Sequence, residues 1–225
     1  MQSFFDCLTE VEGVIFGNVA LHVQVRAHWQ LWGMHIAIPH SHAVALIGWL
    51  TNCGYIRRPV SRPHSWGTTH IYSLQNLQVQ NRWVYLYESE NELAVTPVLS
   101  SKSMARMTML TAHALVSLYT GLTNENVCVT TTALDVLHYQ AFGFRVYLEA
   151  KGMDSACQSY CSRNHRALDL EHSINILNWG GLMKDEAIPD VELDIFKGQL
   201  FWVLGDMCHN ILCGRCGADQ DSLLF

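Results

Sequence analysis

Long apolar runs are missing from this 225-residue sequence. The longest of them, residues 43–50, is far shorter than the about 20 residues that a membrane-spanning helix needs. The opening residues, MQSFFDCLTE, lack the basic region and apolar stretch of a secretion signal. Because 49% of the residues are hydrophobic, the chain can still bury a core of ordinary size. These features predict a soluble, cytoplasmic protein.

Acidic side chains are absent from residues 13–87, although the whole chain has a formal net charge of -6. The same stretch contains five arginines and seven histidines, whereas the acids are concentrated after residue 124. The negative total argues against a free-standing nucleic-acid binder. The asymmetry nevertheless predicts a cationic surface, formed by the first third of the chain, that receives anions.

Recognisable catalytic motifs are also absent. The sequence has no G-x-x-x-x-G-K-[ST] phosphate loop, no G-x-S-x-G elbow, no G-x-G-x-x-G fingerprint and no H-E-x-x-H pair. His40, His42 and His113 leave a small hydrolase or nuclease as a less favoured hypothesis, since alternate residues of a turn do not establish a proton-transfer geometry. The sequence therefore predicts a non-catalytic protein.

Hydrophobic periodicity predicts an α+β fold. Alternation over residues 21–29 is typical of a strand, and residues 43–50 are predicted to form a helix that begins after Ser41 as N-cap. A proline- and arginine-rich loop, residues 55–69, precedes a hairpin made of HIYSLQNLQVQ and RWVYLYE. Residues 103–120 are predicted as a second helix, and NVCVTTT and AFGFRVYLEA as further strands.

In chain order these elements have the βαββαβ arrangement of a ferredoxin-like fold. We therefore expect a ferredoxin-like domain over residues 1–150 and a helical, Cys-bearing C-terminal extension over residues 151–225. Phe142 and Phe144 are expected in the core, because QAFGFRVY lacks the basic residue and the glycine that open the RNA-contact octamer of RNA-recognition motifs.

The cysteines predict a metal site in the extension. Cys213 and Cys216 stand in CGRCG, a C-x-x-C turn whose thiolates suit zinc. Cys157 and Cys161 in CQSYC, with His165 beyond them, are candidates for the remaining ligands, and so are Cys208 and His209. Buried free thiols that act as small apolar residues are the alternative.

Cationic and aromatic side chains predict a nucleic-acid surface. Arginines neutralise phosphates, and aromatic rings stack on unpaired bases. Positive charge at the start of the second predicted helix would add to an anion site there. The candidate residues are His40, His42, Arg57, Arg58, Arg62, His64, Trp66, Lys102 and Arg106.

The segment that follows the first predicted strand resembles the RAMP superfamily of CRISPR effector subunits. Pro39, Ser41, Ala43, Ala45, Leu46 and Gly48 stand in places comparable with a P-x-S-x-x-A-[hydrophobic]-x-G stretch of the subunit that caps the 5′ end of the crRNA. The resemblance implies a non-catalytic subunit that binds the 5′ handle of a guide RNA and contacts neighbouring subunits. Binding of target DNA, instead of the guide RNA or in addition to it, belongs to the same hypothesis. The cysteine-bearing extension is more similar to the zinc-containing, large-subunit-like component of type IV complexes.

A zinc-stabilised protein-interaction adaptor is the competing hypothesis. In that case the arginines would meet acidic partners instead of phosphates. Retention of an RNA of defined length by the purified protein separates the two, whereas bound zinc is compatible with both.

Overall fold

The fold is described from a computed structural model. It covers residues 3–26, 28–59, 67–79, 82–154, 157, 161–163, 166–167, 175–178, 201–205 and 207–213.

Helices and strands alternate irregularly along the described residues. The helices are α1 (Phe4–Glu10), α2 (Asn18–Val25), α3 (Ala43–Asn52), α4 (Val95–Leu99), α5 (Thr120–Asn124) and α6 (Ala133–Ala141). The strands are β1 (Val14–Phe16), β2 (Gly33–Ile38), β3 (Tyr55–Arg58), β4 (Thr68–Asn76), β5 (Trp83–Ser89), β6 (Thr108–Leu110), β7 (Ala114–Ser117), β8 (Val127–Thr130), β9 (Arg145–Leu148), β10 (Arg166–Ala167), β11 (Asn175–Asn178) and β12 (Phe201–Trp202).

Eight of the described strands form one sheet in the order β11-β7-β6-β1-β2-β5-β4-β3. Adjacent strands of this sheet are antiparallel, except for β2 and β5, which run parallel. A second, two-stranded sheet joins β8 and β9 in parallel, with α6 as their connection. The predicted α+β class is therefore confirmed, whereas the ferredoxin-like order is not.

Helix α3 confirms the prediction for residues 43–50. Its buried positions Ala43, Leu46 and Leu50 recur at steps of three and four residues, and the chain leaves the helix at Gly54 with φ +85°. The N-cap prediction for Ser41 is wrong, because His42 occupies that position and the Ser41 hydroxyl donates to Glu92 Oε2 at 2.5 Å instead.

Residues 21–29 do not form the predicted strand, since α2 occupies Asn18–Val25. The burial explains the error: Ala20 and Leu21 are buried side by side, whereas Val23 is 41% exposed. Apolar residues that alternate over so short a segment can also lie on one face of a helix. Arg26, with φ 49°, ends the helix in a left-handed conformation.

The predicted helix over residues 103–120 is wrong as well. Only a short 3₁₀ turn, Met104–Arg106, is helical at its start, and β6 and β7 then form a hairpin. The hairpin turn between β6 and β7 is closed by Thr111, whose hydroxyl accepts from the backbone N–H of Ala114 at 2.9 Å. Because this hairpin is buried on both faces, its apolar residues do not alternate.

The hairpin of β4 and β5 is confirmed, with Ile71 opposite Tyr87 in an antiparallel register. The predicted loop, by contrast, begins with strand β3, which pairs Tyr55 with Asn76. Phe144 is buried in a core cluster, as expected, and Phe142 is half-buried beside it.

The large sheet carries a core cluster on each face. Residues such as Leu46 and Leu86 pack in one cluster, on the face that carries α1 and α3. On the other face, Met109 and Val129 share a cluster with Cys157 and Trp202 from beyond residue 150. The division at residue 150 stays a prediction. No helix in the described part of the chain is long and apolar enough to cross a bilayer.

Candidate metal centre and a polar cleft

Three cysteine sulfurs lie close together in the core cluster that also contains Met109, Val129 and Trp202. The Sγ atoms of Cys157, Cys208 and Cys213 all lie within 4.8 Å of one another, and the three side chains are buried. A group of three thiols this close can hold a metal ion, because thiolates bind soft and borderline cations.

A fourth buried cysteine extends the group. Cys161 Sγ lies 3.7 Å from Cys213 Sγ, and Cys157 Sγ lies 3.7 Å from Cys208 Sγ. A disulfide requires a sulfur-sulfur distance of about 2.05 Å. The four side chains, which we call the thiol cluster, are therefore two close but unbonded pairs.

Hydrogen bonds join the two segments that carry these thiols. The backbone N–H of Gly205 donates to the carbonyl of Ser162 at 3.1 Å, and the Ser162 hydroxyl donates to the carbonyl of Met207. Cys213 is positioned by a turn in which its N–H donates to the carbonyl of Asn210 at 3.0 Å. The cluster is thus fixed by backbone contacts as well as by packing.

The surroundings disfavour bare thiolates. Burial raises the pKa of Cys208 to about 12 and also raises the pKa of Cys157. The side-chain N–H of Asn210 donates to Cys157 Sγ at 3.0 Å, which favours the thiolate at that position. A metal cation that displaces the thiol protons would supply the positive charge that compensates the buried thiolates.

The predicted metal ligands are largely brought together. Cys157, Cys161 and Cys213 lie in the thiol cluster, while Cys216 and His165 lie outside the described residues. Cys208, weighed in the sequence as an alternative, completes the group. His209 points elsewhere, since its Nε2 lies 2.8 Å from Glu149 Oε2.

The predicted nucleic-acid residues fall in several places. His40 Nδ1 lies 2.5 Å from Glu88 Oε1, and His42 Nδ1 lies 3.0 Å from the carbonyl of Val11. Sequence reasoning missed Glu88, a 4% exposed carboxylate that also accepts from the Tyr72 hydroxyl at 2.6 Å. An acid from outside the acid-free stretch therefore pairs with a histidine from inside it.

Arg57 and Arg58 are neighbours on β3, so their side chains leave the sheet on opposite faces. The Arg57 guanidinium lies over the Tyr72 ring at 4.6 Å, whereas Arg58 Nε donates to Gln75 Oε1 at 3.1 Å. Arg62, His64 and Trp66 lie outside the described residues. His113 is half-buried in the turn between β6 and β7, not in a helix.

Lys102 and Arg106 line one polar cleft of about 280 Å³. Arg106 Nη2 lies 2.9 Å from Oδ1 of Asp135, whose other oxygen accepts from the Thr132 hydroxyl at 2.7 Å. Lys102 is exposed, and no carboxylate of the described residues forms an ion pair with it. Two of the candidates that the sequence proposed therefore line the same cleft.

Comparison of the chain with known proteins finds no match. No family model matches the chain, and neither a curated protein nor a solved structure matches it.

Proposed function

We propose that the thiol cluster binds one zinc ion through Cys157, Cys161, Cys208 and Cys213. The observation that carries this proposal is the pair of 3.7 Å sulfur-sulfur distances. Four thiolates at about 2.3 Å from one zinc ion form a tetrahedron whose edges are about 3.8 Å. The two 3.7 Å distances match opposite edges of that tetrahedron. Because, among the described residues, only the sulfurs of Cys157, Cys208 and Cys213 all lie within 4.8 Å of one another, zinc binding requires Cys161 Sγ to move closer to the other thiols.

Four cysteine ligands leave no position for water or substrate, so the proposed zinc is structural and not catalytic. It links the segment of Cys157 and Cys161 to the segment of Cys208 and Cys213 beneath the large sheet. Both segments belong to a core cluster with Val129 and Trp202, and the metal therefore stabilises the packing of residues beyond 150.

Metal analysis with matched variants tests the proposal. Protein purified after expression with added zinc is expected to contain one zinc ion per chain. Cys157→Ser and Cys208→Ser should each lose it, whereas Cys53→Ser, at an exposed cysteine, and Cys128→Ala, at a buried one outside the cluster, should keep it. Equal zinc content in all four variants would contradict the proposal.

A second candidate function is binding of an RNA strand as the non-catalytic CRISPR subunit that the resemblance implies. What supports it is the exposed Arg57 beside an aromatic ring and the exposed Lys102 in the cleft. An arginine beside an aromatic ring suits an unpaired base, and Lys102 offers positive charge at a different position.

Retention of RNA during purification tests this second candidate. The double variant Arg57→Glu, Arg58→Glu is expected to retain less RNA, with a weaker dependence of binding on salt. Arg145→Glu, at an exposed arginine of β9, serves as the control. If the double variant retains as much RNA as the control, the candidate is wrong.

A further inference from the structure

We propose that the polar cleft is a binding site for a phosphate monoester that carries a group of about the size of one nucleoside. The proposal is independent of the zinc ion and rests on the walls of the cleft. They are formed by the segment after α4, the 3₁₀ turn Met104–Arg106, the beginning of α6 and the ends of β1 and β5.

The cationic side of the cleft is held in place before any ligand arrives. The backbone carbonyl of Lys102 accepts from the N–H of Thr131 at 2.8 Å and from the hydroxyl of Thr130 at 3.0 Å. The Lys102 backbone is therefore fixed, while its ammonium group is exposed beside the cleft. A fixed backbone reduces the entropy that a bound anion would cost.

Arg106 is oriented by its buried partner. Asp135 is 6% exposed, and its carboxylate is held by Thr132 as well as by Arg106. This contact uses one guanidinium nitrogen, and the Arg106 side chain remains 41% exposed. The guanidinium has further N–H donors for an anion, and it offsets the charge of Asp135.

Lys102, Arg106 and Asp135 together give the cleft a net positive charge. Ser100 and Ser101 also line the cleft; the Ser100 hydroxyl donates to the carbonyl of Thr96 at 2.9 Å, so Ser101 is the hydroxyl donor that we count for the ligand. The first residues of α6 also line the cleft, and the Thr132 side chain makes no capping bond to the backbone N–H groups of that turn. A doubly charged phosphate monoester matches this set of donors better than a singly charged carboxylate does.

The floor of the cleft is aromatic. Phe16 and Tyr87 contact each other edge to face, with ring centroids 5.1 Å apart, and both are largely buried. Pro97 and the exposed Leu134 add apolar surface at the walls. The volume of about 280 Å³ lies just below the usual range of ligand pockets, so the cleft suits a group no larger than about one nucleoside.

The ligand has two possible sources with the same chemistry, a free nucleotide and the 5′-phosphorylated end of an RNA strand. Calorimetric titrations with AMP, adenosine, 5′-phosphorylated ApA and 5′-hydroxyl ApA separate them. We expect each phosphorylated probe to bind about 10-fold or more tightly than its unphosphorylated partner, because charge-assisted bonds are lost with the phosphate. Tighter binding of the dinucleotide identifies an RNA end, and tighter binding of AMP identifies a free nucleotide; either result supports the site.

Variants complete the test. Lys102→Gln should weaken AMP binding about 10-fold, while Lys151→Gln, at an exposed lysine that does not line the cleft, should leave it unchanged. Circular dichroism of both variants establishes that they are folded. Equal binding by the two variants would overturn the proposal. Equal binding of AMP and adenosine, or no binding of any phosphorylated probe at about 1 mM, would overturn it too.

Discussion

The side-chain amide of Asn210 donates to Sγ of Cys157 at 3.0 Å. Asn210 is buried, and its amide oxygen accepts from the backbone N–H of Leu212 at 2.9 Å, so the orientation of the amide is fixed. An N–H donor stabilises a thiolate more than a thiol. Asn210 therefore favours the thiolate of Cys157, the form that the proposed zinc ion would bind.

Replacing Asn210 should weaken the proposed zinc site without removing a thiol. We expect Asn210→Ala to lower zinc affinity about 10-fold or more, which is typical for loss of a hydrogen bond to a metal ligand. Competition with a chelating dye measures the affinity. Asn52→Ala, at the exposed end of α3, is the control, and equal affinities for the two variants would show that the amide has no such role.

Gly33 and Gly48 should respond in opposite ways to alanine. A Cβ at Gly33 would lie 2.8 Å from Cε2 of Tyr85, a ring that stacks on His35 with centroids 5.1 Å apart. Gly33→Ala is therefore expected to lower the free energy of unfolding by about 1–3 kcal/mol. A Cβ at Gly48 would meet nothing within 4 Å, so Gly48→Ala in α3 should raise it by about 0.5–1 kcal/mol. Urea unfolding measures both, and shifts of the same sign would contradict the packing described here.

Tyr72 should make stability fall at high pH. Burial and the hydrogen bond to Glu88 raise its pKa from the ordinary 10.0 to about 12. Between these values the unfolded chain loses a proton that the folded chain keeps. The contribution of Tyr72 is therefore complete below pH 10.0 and is lost as the pH rises through about 12.

Comparison with Tyr72→Phe isolates this contribution from those of other groups that titrate in the same range. The free energy of unfolding of the parent should fall more steeply between pH 10 and 12 than that of the variant. Denaturant unfolding at several pH values gives both slopes. Parallel curves would show that Tyr72 titrates as it does in the unfolded chain.

Asp135 should be important for stability as well as for the cleft. Its carboxylate accepts from Arg106 at 2.9 Å and from the Thr132 hydroxyl at 2.7 Å. Asp135→Ala leaves both donors without this acceptor, and we expect a loss of about 1–3 kcal/mol in the free energy of unfolding. Glu125→Ala, at an exposed acid after α5, should change it by less than about 0.5 kcal/mol. If Asp135→Ala also changes the free energy of unfolding by less than about 0.5 kcal/mol, water replaces Asp135 as the hydrogen-bond acceptor for Arg106 without loss of stability.

Helix α3, which the sequence predicts correctly, has one exposed side. The exposed side of this helix includes Val44, which is 83% exposed, with Ala45 and Gly48, while the buried positions keep helical spacing. Strands β6 and β7 have no such side, because every residue of both strands is buried. Helical spacing then matches by chance, and only the turn at Thr111 separates the hairpin from a helix.

The thiol cluster could be predicted in part, where its members lie close together in the sequence. Short spacing in the sequence predicts that Cys157 and Cys161, and the cysteines around Cys213, contribute to one site. The partners Cys157 and Cys208 are 51 positions apart, and their proximity depends on the fold of the intervening chain. Pairing of His40 with Glu88 was equally invisible, because the carboxylate comes from the next strand in the sheet, β5.

X-ray absorption at the zinc edge tests the central claim most directly. The account predicts one zinc ion per chain surrounded by four sulfur atoms at about 2.3 Å. A shell that contains nitrogen or oxygen, or protein that takes up no zinc when the metal is supplied, would contradict the four-cysteine centre.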